Sequence, residues 1–121
     1  MPEVWFDELS ELIAIPSVSA DPERAGDVAR AAEWLAAFIR GTGGTADVVP
    51  TSTQPLIVGD LPASKGSEVT LLVYGHVDVQ PPDPLDLWES DPFTLEHRGD
   101  WLFGRGVVDD KGQLYMLVKA A

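Results

Sequence analysis

Apolar and polar positions follow two different rhythms along this chain, and the switches between them mark its elements. Trp5, Leu9, Leu12 and Ile13 recur at helical spacing, and Pro16 with Ser17 to Ala20 ends that helix in a loop. Val28, Ala31, Ala32, Leu35, Phe38 and Ile39 share one face of a second helix, opened by Asp21-Pro22 and closed by Gly41. Residues 46–49 and 56–58 read as short strands joined through a proline-bounded turn region. The run Val69-Thr70-Leu71-Leu72-Val73-Tyr74 is almost continuously apolar, the pattern of a central strand buried on both faces. Residues 93–97 and 101–103 form a hairpin pattern around Arg98-Gly99-Asp100. From Lys111 onward Leu114, Leu117, Val118 and Ala121 fall in helical phase, and no stop signal follows them.

Helices alternating with apolar strands predict an α/β layer architecture, in which ligands collect beyond the carboxyl ends of strands. His76 and Asp78 lie at such an end, directly after the apolar run. The glycine-rich stretch Gly41-Thr42-Gly43-Gly44 follows a helix instead of joining a strand to one, so it does not fit a phosphate cradle.

Composition narrows the chemistry. The 121 residues suffice for one ordinary domain or a piece of one, and the apolar content suffices for a core. A net charge of -12, spread along the chain, repels nucleic acid and anionic membrane surfaces and accommodates a cation more readily. The absence of cysteine excludes disulfides, thiolate metal sites and a cysteine nucleophile, leaving histidine and carboxylates as the available ligands. Met1-Pro2-Glu3-Val4-Trp5 opens without the basic start and apolar run of a signal peptide, which predicts a cytoplasmic location. No apolar stretch has the length needed to cross a bilayer.

Two motifs carry candidate chemistry. If strand geometry continues through His76-Val77-Asp78, residues two apart face one side, and the carboxylate can orient the imidazole as metal-bound histidines usually require. Taken alone, the same pair reads better as a polar closure of a buried strand end. Asp109-Asp110 sets two carboxylates side by side, which repel unless solvated or held by a cation. That pair, too, has a plain alternative: an acidic helix start. Gly104 and Gly106 before it permit backbone paths that other residues resist.

His76-Val77-Asp78, then Trp88-Glu89-Ser90-Asp91-Pro92-Phe93, then Gly104-Arg105-Gly106-Val107-Val108-Asp109-Asp110-Lys111-Gly112 together resemble the dinuclear zinc metallopeptidases. That family includes aminoacylase, glutamate carboxypeptidase, succinyl-diaminopimelate desuccinylase and the carnosine dipeptidases. Tyr74 to Pro81, with the Trp88 to Phe93 segment, looks most like the dipeptidase branch. The resemblance implies that His76 ligates one metal, that Asp109 bridges two, and that Asp78 has a catalytic part in orienting His76. It also implies a cis peptide after Asp109. The implied cofactors are two divalent ions, zinc first, with manganese or cobalt as alternatives.

The fold so implied is an α/β three-layer sandwich, with a largely parallel or mixed central sheet flanked by helices. Residues 1–121 correspond to its N-terminal part. The family's general-base glutamate, its remaining ligands and its lid or dimerisation domain would fall beyond Ala121, and a homodimer would form through that domain. The expected function is therefore that of an N-terminal part of a peptide or acyl-amino-acid hydrolase, inactive alone. An acidic α/β binding or interaction module is the competing reading. His97 in the hairpin is expected to be a surface residue, and Arg105 and Lys111 to serve packing and helix entry.

Overall fold

The computed structural model describes residues 3–121; Met1 and Pro2, which open the acidic N-terminal stretch, lie outside the described residues. Among the described residues three α-helices, α1 (Val4–Ala14), α2 (Ala25–Gly41) and α3 (Lys111–Ala120), accompany two antiparallel hairpins. The first pairs β1 (Thr45–Val49) with β2 (Leu56–Asp60), Thr45 opposite Asp60 and Val49 opposite Leu56. The second pairs β3 (Glu96–Arg98) with β4 (Trp101–Phe103) across Gly99, whose φ of +62° is the left-handed conformation a tight turn needs.

Local signals set the helix boundaries. The Asp21 side chain accepts from the Glu23 N–H with Pro22 at the first position, and this single 3-10 turn leads directly into α2. At the far end α2 runs through Gly41, one residue beyond the expected stop. The Gly43 N–H donates to Arg40 O with Gly43 at φ +96°, and the Thr42 hydroxyl caps Ile39 O at 2.7 Å. The glycine-rich stretch is thus a helix C-terminus. Gly44 is confined as well, since a Cβ there would stand 2.6 Å from Asp60 O.

Two adjoining clusters form the core. In one, α2 lays Ala31, Leu35, Ala36 and Ile39 against Ala46, Val77, Leu114 and Val118. In the other, Leu9 and Ile13 of α1 meet Leu95 and Tyr115. Leu12 and Ile13 are fully buried, each contributing about 1.5–3 kcal/mol of apolar burial. The stripe expected on α2 is present, with Trp34 stacked on Phe38 at 5.1 Å between ring centres; on α1 Leu9, Leu12 and Ile13 are buried, but Trp5 is exposed. On α3 the buried face is rotated from expectation: Lys111, Leu114, Tyr115 and Val118 point inward, while Leu117 is exposed.

The helix and strand mixture agrees with an α/β fold, but the expected central strand differs. Residues 69–74 carry no regular secondary structure, and Leu71 and Leu72 are 87% and 93% exposed. A strand buried on both faces needs neighbours at both edges and layers above and below. Among the described residues none pairs with this run; the one parallel link to the stretch that follows it is the bridge Val18 to Val79.

Candidate metal centre

His76 and Asp78 follow the unpaired run and are anchored from two directions. On one side the loop after α1 grips them: the Val79 N–H donates to Ser17 O at 2.9 Å, and the buried Ser17 hydroxyl donates to Val77 O at 2.7 Å. On the other, the His76 N–H donates to Asp110 Oδ2 at 3.1 Å. That bond needs Gly75, because a Cβ at position 75 would lie 2.8 Å from both Asp110 Oδ2 and Leu114 Cδ1.

The segment Gly104 to Lys111 folds back to meet His76. Gly106 turns at φ +92°, its carbonyl accepts from the Gly112 N–H, and Asp109 takes a positive φ of 85° that non-glycine residues seldom adopt. The Asp109–Asp110 peptide is cis, as the sequence resemblance implied. The Asp109 N–H donates to Gln113 Oε1 at 3.2 Å.

These two segments bring His76, Asp78 and Asp109 together. His76 Nε2 lies 3.1 Å from Asp109 Oδ1, while Nδ1 lies 3.0 Å from Asp78 O and 3.2 Å from Asp78 Oδ1. Burial alone would pull the imidazole below its ordinary value. The Asp78 carbonyl, the Asp109 carboxylate and the charges of Asp78 and Asp110 outweigh it and hold the ring above that value. The Asp109 side chain is 73% exposed, so the pair opens to one side.

The donor set fits a divalent ion. Two tetrahedral zinc donors, each about 2.0–2.1 Å from the ion, stand about 3.3 Å apart. The 3.1 Å between Nε2 and Oδ1 is within a small adjustment of that spacing. An imidazole whose Nδ1 faces a carboxylate and a carbonyl also has the outer contacts typical of a histidine ligand. The set is partial: among the described residues no group of three or more histidine and acidic side chains is placed to hold an ion.

The acidic-helix-start explanation of Asp109-Asp110 does not match these contacts. Asp110 is the N-cap of α3 and makes no side-chain capping bond. Its carboxylate goes to His76 instead, and that of Asp109 to the imidazole. His97 is exposed on the hairpin beside Phe6, far from a ligand role, and Arg105 lies 5.4 Å over the Trp88 ring.

Sequence reasoning underrated two residues. Ser19 donates its hydroxyl to Asp78 Oδ2 at 2.5 Å. Lys111 is fully buried, its Nζ donating to Leu12 O at 2.9 Å and Ile15 O at 2.7 Å, and burial pushes its pKa down to about 8. Those carbonyls end α1, where a cation is favoured. The helical phase 111, 114, 115, 118 was available as a signal for Lys111; nothing local marks Ser19.

Residues 72–121 match the sequence profile of peptidase family M20/M25/M40. Over these residues the chain is similar to that family. Over 95% of its length the chain is 34% identical to a cysteinylglycine-S-conjugate dipeptidase of Corynebacterium striatum. Over 96% it is 39% identical to a succinyl-diaminopimelate desuccinylase of Xylella fastidiosa. Its fold superposes on the crystal structure of human carnosine dipeptidase 1 with a TM-score of 0.85 and 29% identity, covering 96% of this chain and 27% of that one. The chain spans about a quarter of the length of these relatives, 25% and 28% of the two enzymes matched by sequence.

Proposed function

We propose that residues 1–121 form the N-terminal part of the catalytic domain of a metal-dependent peptide or acyl-amino-acid hydrolase. In this reading His76 ligates one of two divalent ions, zinc first, Asp109 bridges them, and Asp78 orients His76. The observation that carries it is the diversion of both carboxylates of Asp109-Asp110 away from the helix they precede and toward His76. The uncovered apolar run at 69–74 supports the part-domain reading, since a strand of that composition belongs between neighbours.

Bound divalent ions would supply Lewis acidity toward a substrate carbonyl and an acidified water. The chain's own residues act before that chemistry. Asp78 holds the Nδ1 side of the imidazole and leaves Nε2 facing the opening. Asp109 offers two oxygens there, on a backbone turn fixed by Gly106 and Gln113. Asp110 joins the two ligand-bearing segments through the His76 N–H. A proton carrier between water and leaving amine is not among them. The substrate class, a small dipeptide or N-acyl amino acid, follows from what the relatives are named for. A cytoplasmic location and a homodimer of the longer protein belong to the same proposal.

Zinc calorimetry on the 121-residue chain tests the ligand assignment. Weak binding that falls at least about tenfold in both His76→Ala and Asp109→Ala is expected. Unchanged binding in both variants would place the zinc elsewhere and overturn the ligand assignment. Dipeptide hydrolysis by the purified monomeric chain, lost in His76→Ala, would overturn the part-domain reading.

A further inference from the structure

We propose that Ser19 is a positioning residue of this centre: its hydroxyl fixes the Asp78 carboxylate, which in turn fixes the His76 tautomer that leaves Nε2 free for an ion. The inference rests on the reading of His76 as a ligand and adds a residue from the other end of the chain to the site.

The contacts form a relay of three groups. Ser19 Oγ donates to Asp78 Oδ2 at 2.5 Å, and the other oxygen, Oδ1, stands 3.2 Å from His76 Nδ1. A carboxylate held at one oxygen has its second oxygen aimed. The backbone carbonyl of Asp78 accepts on the same ring nitrogen at 3.0 Å, so both acceptors favour a proton on Nδ1. With that proton in place the Nε2 lone pair is available on the Asp109 side, where an ion would sit; without an ion, Asp109 Oδ1 at 3.1 Å is an acceptor facing Nε2. Asp78 needs such a restraint because its side chain is 37% exposed, and water could otherwise compete for either oxygen.

Ser19 is able to act this way because its backbone is immobilised. Val18 pairs with Val79 in the parallel bridge, and both side chains are buried. Ser17 is buried and tied to both Val77 and Val79. Two residues before it, Ile15 O accepts from the buried Lys111 ammonium, which follows Asp109-Asp110 in sequence. One short loop therefore touches the histidine segment directly and the carboxylate segment through Lys111. The Ser19 hydroxyl has no competing partner in its own turn; its carbonyl, not its hydroxyl, meets Gln54 Nε2 at 3.4 Å.

The test compares Ser19→Thr with Ser19→Val, side chains of nearly equal shape that differ in the hydroxyl. The chain has two histidines, so long-range proton–nitrogen NMR of the imidazoles gives two sets of signals, and His97→Gln assigns them. At a pH where the ring is neutral, and with Asp109→Ala removing the acceptor that faces Nε2, the chains with Ser19 and with Ser19→Thr are expected to show His76 as the Nδ1–H tautomer. In the same background Ser19→Val is expected to show mixed tautomers and, with Asp109 intact, a zinc affinity lower by about tenfold. Circular dichroism confirms that the pair is equally folded. If Ser19→Val keeps the wild-type tautomer and zinc affinity while His76→Ala loses binding, the role of Ser19 is overturned and the metal centre stands. If His76→Ala also binds zinc as wild type does, the ligand reading fails, and the positioning role with it.

Discussion

Replacing Lys111 by methionine separates the two effects that a buried ammonium combines. The side chain is fully enclosed, and its Nζ satisfies Leu12 O and Ile15 O at 2.9 and 2.7 Å. Methionine keeps most of the stem packing against the core but donates nothing. Leu12 O and Ile15 O each keep a backbone donor, the Ile15 N–H at 3.3 Å and the Ser17 N–H at 2.8 Å, so the loss is two hydrogen bonds from a charged donor, about 1.5–3 kcal/mol each or about 3–6 kcal/mol together. The favourable placement of a cation at the end of α1 is lost as well, about 0.3–1 kcal/mol. Against this, the ammonium no longer has to be taken out of water, a relief of several kcal/mol. The two lost hydrogen bonds and the helix-end placement, about 3–7 kcal/mol together, should exceed that relief, and a net destabilisation of about 2 kcal/mol is expected. Urea unfolding followed by the fluorescence of the four tryptophans reads this as a lower midpoint at constant slope. A Lys111→Met chain as stable as wild type, or more so, would refute the reasoning and show that desolvation dominates.

Other outcomes follow from the same contacts. Glu8 is held below its ordinary value of 4.5 by the Lys119 ammonium and then by the Tyr115 hydroxyl, so its stabilising effect is complete above that value and lost as pH falls through the lowered one. The difference in urea midpoint between wild type and Glu8→Gln should therefore shrink on acidification below 4.5, and a constant difference would contradict it. Gly112→Ala would set a Cβ 2.0 Å from the backbone carbonyl oxygen of Val107, which cannot swing aside, and should destabilise by about 3 kcal/mol or prevent folding, as circular dichroism would show. His97→Gln should leave zinc calorimetry unchanged, because that ring lies on the hairpin surface beside Phe6.

What could be read from the sequence was what is encoded locally. The α2 stripe from Val28 to Ile39 and the Asp21-Pro22 start depend on neighbours within a turn or two, and both are as expected. The pairing of His76 with Asp78 follows from residues two apart. Its meeting with Asp109 came from the resemblance, since 33 residues separate the partners and no periodicity links them. The Ser19 to Asp78 bond spans 59 residues and the Lys111 bonds 96 and 99, distances over which only the folded chain carries the information. The apolar run at 69–74 misled for a different reason. Its composition specifies a strand between partners, and composition alone cannot say whether partners are at hand.

That run has a cost in colloidal terms. Val69 to Tyr74 is six residues of high β propensity without charge or proline, and most of its side chains face solvent. Such segments template cross-β stacking when they lie bare. The net charge of -12 opposes the approach of two copies, and acidification that neutralises the carboxylates removes this protection. The stretch that delivers His76 to its site is thus also the stretch by which the isolated chain would precipitate, and shelf life in acid becomes a readout of whether that strand has found its neighbours.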